Sequence, residues 1–139
     1  LITRAVLDAS VALSWVLPGE ETAKTLPLRN IAATRPRFDL SAPSFFCYEV
    51  ANALWAAQRR KRISSAVASE SLKAILDFDI KAWDPDPPLC LNIATEKNLA
   101  VYDCAYLAIA MEQKAALWTI DRSLAAVAEQ LGVTVKPEH

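Results

Sequence analysis

Short apolar runs alternate along the chain with longer stretches of helical spacing. Residues 5–7, Ala-Val-Leu, form an apolar run that ends at Asp8, the pattern of a strand buried on both faces. Ser10 stands where it can cap a helical segment over 11–17, which Pro18-Gly19 interrupts. Residues 20–33 predict a helix that Pro27 kinks or divides. A second strand is expected over 38–42, and Pro43-Ser44 reads as a helix start. Over 45–60, Phe46, Val50, Ala53, Leu54 and Ala57 fall on one broad side, the clearest helical pattern in the chain. Another helix begins at Ser64 or Ser65 and runs to about residue 76.

Residues 80–83 predict a short strand, and the Asp-Pro-Asp-Pro-Pro stretch over 84–88 a turn. Helical patterns follow over 89–97 and 102–113. A strand is expected over 116–120, a helix over 122–131 ended by Gly132, and a last strand over 133–135. Short β-branched strands separated by helices predict an α/β fold, a three-layer α/β/α sandwich around a central, mostly parallel sheet. Open sheets of this kind place ligands beyond the carboxyl ends of their strands. Asp8 and Asp121 each follow a strand, and so stand at the expected rim of a site.

Composition narrows the class. A chain of 139 residues that is 53% hydrophobic can bury a core, and its length suits one domain over 1–139. Two glycines against eight prolines favour short, defined connections over flexible linkers. The net charge of -1 removes bulk attraction to nucleic acid or anionic membrane as the main cue, while leaving room for a local basic surface. No apolar run reaches the roughly 18–20 residues that cross a bilayer. Cys47, Cys90 and Cys104 lack close metal spacing, and their odd number fits a reducing, cytoplasmic setting. The first eight residues lack the basic region and cleavage site of a signal peptide; with Leu at position 1, the natural start is expected to lie outside this numbering.

Four acids stand out. Asp8 ends a buried strand. Glu49 interrupts the apolar side of the 45–60 helix, with Asn52 one turn on. A carboxylate there needs hydrogen bonds, a cation or protonation. Asp103 precedes the apolar run 104–110, and Asp121 ends the 116–120 strand with Thr119 two residues before it on the same face. Each has a structural reading as well: Asp8 and Asp121 as turn caps, Asp103 as a helix cap, and Glu49 as the partner of a buried arginine, although no Arg or Lys lies in the first turns of its helix. Convergence of all four without a cation would be strongly repulsive. An oxygen-rich set suits Mg²⁺ or Mn²⁺. His139 at the tail is the sole histidine, which argues against a zinc site or a histidine triad. What remains is metal-assisted attack by water on a phosphate ester.

In order and spacing, the stretches 7–11 (Leu-Asp-Ala-Ser-Val), 48–54 (Tyr-Glu-Val-Ala-Asn-Ala-Leu), 101–110 (Val-Tyr-Asp-Cys-Ala-Tyr-Leu-Ala-Ile-Ala) and 117–121 (Leu-Trp-Thr-Ile-Asp) resemble the PIN-domain family. The resemblance is above all to VapC-type toxins of bacterial and archaeal toxin–antitoxin pairs. It implies a parallel-sheet α/β/α fold and a Mg²⁺- or Mn²⁺-dependent endoribonuclease. It further implies a homodimer and a cognate antitoxin that neutralises the site by inserting a segment near it. The metal site it implies is Asp8, Glu49, Asp103 and Asp121, supported by Ser10, Asn52 and Thr119. Cys104 stands where a small residue is usual and is expected to pack as a small hydrophobe.

On this reading Asp8, Asp103 and Asp121 hold the metal, and Glu49 completes the ring or positions the attacking water. The run Arg59, Arg60, Lys61 and Arg62 is a candidate RNA-backbone contact, with a solvated helix end as its plain alternative. Trp15, Trp55, Trp83 and Trp118 are expected in the core or at protein interfaces, because no interleaving of aromatic and basic residues marks a stacking platform. Three rivals stand beside the toxin reading: an rRNA-processing or structure-specific DNA nuclease, a phospho-accepting signalling domain, and an RNA- or protein-binding module without turnover. The signalling domain is disfavoured because Asp8 has no adjacent acid.

Overall fold

A run with no polar alternation belongs mid-sheet, where both faces are covered. The computed structural model places it there: Ala5, Val6 and Leu7 are wholly buried in β1 (Arg4–Leu7). Residues 3–17, 19 and 22–138 are described. The expected break at Pro18, the helix start at Glu20, the first two residues and His139 lie outside them. The other strands are β2 (Asp39–Ala42), β3 (Ile80–Ala82), β4 (Ala116–Trp118) and β5 (Val135–Lys136). They pair in the order β3-β2-β1-β4-β5, every pairing parallel.

Parallel neighbours require crossovers, and helices supply them. α1 (Ala9–Val16) and α2 (Thr22–Thr34) link β1 to β2; α3 (Phe46–Arg59) and α4 (Ser65–Leu76) link β2 to β3. The chain then returns past β1 through α5 (Pro87–Lys97) and α6 (Val101–Gln113) to β4, and α7 (Arg122–Gln130) leads to β5. α1, α3 and α4 pack on one another, whereas α6 packs with α5, α7 and the inner strands. The result is a parallel sheet between two helical layers. Because strand order reverses between β1 and β4, their carboxyl ends flank the topological switch point.

Side-chain burial follows the sequence pattern closely in α3, where Phe46, Val50 and Leu54 face the core. In α6 every residue from Cys104 to Ala110 is buried, so this helix is a central element rather than a surface one. Cys104 packs there as the expected small hydrophobe, and burial pushes its thiol up to about 11.

Several boundaries differ from expectation. Pro27 lies inside an undivided α2. That helix is tied to α1 by bonds its own backbone cannot supply, with Thr22 Oγ1 donating to the Ser14 carbonyl (2.9 Å) and Trp15 Nε1 to the Thr25 carbonyl (3.2 Å). α3 begins at Phe46 rather than at Pro43-Ser44, because the Phe46 amide first closes a turn onto the Pro43 carbonyl. β4 stops at Trp118, two residues early. Beyond it the Ile120 and Asp121 amides bond to side chains, Ser10 Oγ and Thr119 Oγ1. β5 starts at Val135 instead of 133, since Gly132 at φ +79° and the Val133 amide bonded to Ala128 still belong to the turn after α7. Among the described residues, no helix is long and apolar enough to cross a membrane.

Candidate active site

All four acids stand at the carboxyl edge of the sheet. Asp8 follows β1 and occupies the N-cap position of α1. Glu49 lies in the first turn of α3, Asp103 in the first turn of α6, and Asp121 is the N-cap of α7. Four helix starts therefore meet at one edge, and their dipoles favour negative charge there.

Asp8 is nearly buried, and hydroxyls hold it. Thr119 Oγ1 and Ser10 Oγ both donate to Asp8 Oδ2, each at 2.7 Å. The same two hydroxyls accept from the amides that follow β4, Ser10 from Ile120 (3.2 Å) and Thr119 from Asp121 (3.0 Å). Ser10 and Thr119 are thus the rivets between the ends of β1 and β4. This corrects one expectation: Ser10 does not cap α1, whose N-cap makes no side-chain bond. Thr119 is wholly buried against Asp8. Burial raises the Asp8 carboxyl above its usual range, Thr119 and Ser10 oppose that, and Asp121 adds a smaller upward push.

Glu49 receives a bond that was not anticipated. The phenol of Tyr106, buried mid-helix in α6, donates to Glu49 Oε1 at 2.5 Å. Phe45 packs edge-on against the same ring at 5.9 Å. A buried Tyr hydroxyl needs a partner, which was the only available signal: Tyr106 is the one hydroxyl in the run 104–110. Burial raises Glu49, the Tyr106 bond opposes it, and Asp8 raises it further. The phenol itself is pushed far above its ordinary range, by burial first and then by Glu49, so it stays a donor.

Asp103 makes no capping bond; Ala100 is the N-cap of α6. Its carboxyl is pushed up to about 6, by burial first and then by Asp121, Asp8 and Glu49. All three other acids thus reach it electrostatically. Asp121 does cap: its Oδ1 accepts from the Ser123 (2.9 Å) and Leu124 (3.2 Å) amides. Among the described residues, no three His, Cys, Asp or Glu side chains are gathered tightly enough to hold an ion as they stand. The acids form an open rim of mutually repelling oxygen donors, a donor set that suits a hard divalent cation and offers nothing to a soft one.

The remaining candidates lie apart from this rim. Asn52 is exposed one turn along α3 from Glu49. Arg59, Arg60, Lys61 and Arg62 are exposed at the far end of that helix, about 15 Å from Glu49 along its axis. Trp15 and Trp118 are buried as expected, whereas Trp55 and Trp83 are exposed, Trp83 donating to Glu112 at 2.8 Å.

Comparison with known proteins bears on this geometry. The PIN domain family matches residues 5–132. The chain is 41% identical over 81 residues to Exonuclease VapC9 of Pyrobaculum aerophilum, covering 57% of this chain and 59% of that protein, less than two thirds of its length. It is 29% identical over 126 residues to Ribonuclease VapC3 of the same organism, covering 88% of this chain and 92% of that protein. The crystal structure of PAE2754 from P. aerophilum superposes with a TM-score of 0.73 at 26% identity, over 96% of this chain and 89% of that one.

Proposed function

The chain belongs to the PIN-domain family and is closely related to VapC-type toxin ribonucleases of toxin–antitoxin systems, and on that premise we propose that it is a divalent-metal-dependent endoribonuclease, the toxin of such a pair. The observation that carries the reading is the acid rim at the switch point, where Asp103 is pushed up to about 6 in part by Asp121, Asp8 and Glu49. Carboxylates this strained at neutral pH fit a centre built for a cation.

Asp8, Asp103 and Asp121 would hold Mg²⁺ or Mn²⁺, with Glu49 completing the set. When bound, such an ion offsets charge developing on the scissile phosphate and makes water more acidic. The chain's own residues do the rest. Thr119 and Ser10 fix the Asp8 carboxylate. Tyr106 holds Glu49 Oε1, orienting the carboxylate toward the water it positions. Helix dipoles at the rim would favour the negative charge of the phosphate.

The chain would act in the cytoplasm as a homodimer with a cognate antitoxin. Exposed Leu89, Leu91, Val101 and Tyr102 on α5 and α6 support a protein-facing surface.

The test is cleavage of linear RNA, circular RNA, single-stranded DNA and flap DNA with Mg²⁺, Mn²⁺ or EDTA. Metal-dependent cutting of circular RNA, lost in Asp8→Asn, is expected. Cutting only linear RNA would give the end-directed activity that one relative's name carries, DNA cutting would favour the DNA nuclease, and metal binding without any product would leave a binding module.

A further inference from the structure

Helix α3 buries Phe46, Val50 and Leu54. Away from that side, Tyr48, Asn52, Trp55 and Arg59 recur at steps of four, three and four residues, the spacing of one row along a helix. All four are exposed, Tyr48 by 79% and Trp55 by 53%. The Arg59 guanidinium lies over the Trp55 ring, 5.4 Å from its centroid. The row starts beside Glu49 at the acid rim. It ends in Arg59, Arg60, Lys61 and Arg62, none of which pairs with a carboxylate among the described residues. Glu49 is the single acid on the helix.

We propose that this row is a track for single-stranded RNA, on which bases stack against Tyr48 and Trp55 while Arg59 and the cations after it hold the phosphates and lead the strand to the acid rim. The inference rests on the ribonuclease reading of that rim and adds the surface that feeds it. Polyanionic partners match the charge: the helix runs from one acid to four free cations. RNA satisfies each member, with a π-face for the rings, phosphate for the guanidinium and base edges for the amide. A guanidinium already seated on an indole leaves a flat, cationic platform that tolerates any base.

Binding is separated from cleavage by using an Asp103→Asn background, in which a partly exposed carboxyl is replaced by its uncharged isostere. Anisotropy of a fluorescent single-stranded RNA with Mg²⁺ is followed across a salt series for that protein and for further variants Tyr48→Ala, Trp55→Ala and Arg59→Ala. Each ring removed should weaken binding about tenfold while leaving the salt slope unchanged, since stacking releases no counterions. Arg59→Ala should flatten the log–log slope by about one counterion. Tyr48, Trp55 and Arg59 are exposed and Asp103 is partly so, and circular dichroism checks folding. Unaltered affinity in both ring variants overturns the track, and so does unaltered RNA binding accompanied by a shift of sedimentation from dimer to monomer, which makes the row a contact between copies. Cleavage of the same RNA by the unmodified protein is measured separately. Cleavage with ring-independent binding refutes the track alone, and ring-dependent binding without cleavage refutes the nuclease alone.

Discussion

Replacing Asp103 with Asn should stabilise the metal-free protein at neutral pH while removing the proposed metal-dependent cleavage. In the folded chain this carboxyl is held from its ordinary 3.8 up to about 6. Between those values the folded state binds more protons than the unfolded state, so stability falls as pH rises from about 4 to about 6 and the loss is complete above that. Below about pH 4 both states are protonated and the penalty vanishes. At full strength the displacement is worth about 3 kcal/mol. Asp103 is partly exposed, and water screens roughly half of that, leaving about 1.5 kcal/mol. Against it stands the attraction of a first-turn carboxylate to the dipole of α6, about 0.5 kcal/mol. A net gain of about 1 kcal/mol, or about 3 °C in Tm, is therefore expected for Asp103→Asn in EDTA at about pH 7.5. Urea unfolding at about pH 7.5 and about pH 4 measures it, and the two proteins should converge at the lower value. Equal or lower stability of the variant at neutral pH, or a gain that persists in acid, would refute the account of strain among the four acids.

Thr119→Val keeps the shape of the side chain but removes the 2.7 Å donor to Asp8 and the acceptor for the Asp121 amide. It should cost about 2–3 kcal/mol by thermal melting. Because the lost bond favours ionised Asp8, the cost should be larger at neutral than at acid pH, and an equal cost at both would count against it. Tyr106→Phe leaves the packing against Phe45 in place and strips Glu49 Oε1 of its donor. Divalent affinity by calorimetry should fall about tenfold with the fold intact; unchanged affinity would show that the bond does not orient Glu49. Mg²⁺ or Mn²⁺ should raise the Tm at about pH 7.5 and much less at about pH 5, where protons compete for Asp103. An equal rise at both would place the bound ion elsewhere.

The sheet and the positions of the acids were legible because burial pattern and strand ends are local properties. The all-apolar run 5–7 predicted a central strand, and an acid directly after it has to stand at the carboxyl edge. Hydroxyl partners were not legible. Thr119 and Asp8 are 111 residues apart, and nothing in either neighbourhood announces the other. Tyr106 was hidden for another reason: in a uniformly apolar helix a tyrosine reads as core, and its phenol becomes conspicuous only when Glu49 lies opposite. The α3 row was not legible because its aromatic and basic members are adjacent on the helix surface but separated along the chain. In the basic run the sequence gives charge but not place, and the structure sets it at the end of α3 away from the acids.

The joint between β1 and β4 has a consequence for how the protein acquires its chemistry. The bond from Thr119 to Asp8 joins residues 111 positions apart, with three crossovers lying between its two ends. A chain with β1, β2 and β3 in place but not β4 holds Asp8 and Glu49 without Asp121 and without one of the two hydroxyls that brace Asp8. Non-local strand pairing of this type forms slowly. The acid rim therefore depends on β4 being in place, and a nascent or locally unfolded chain that has lost β4 lacks an intact centre.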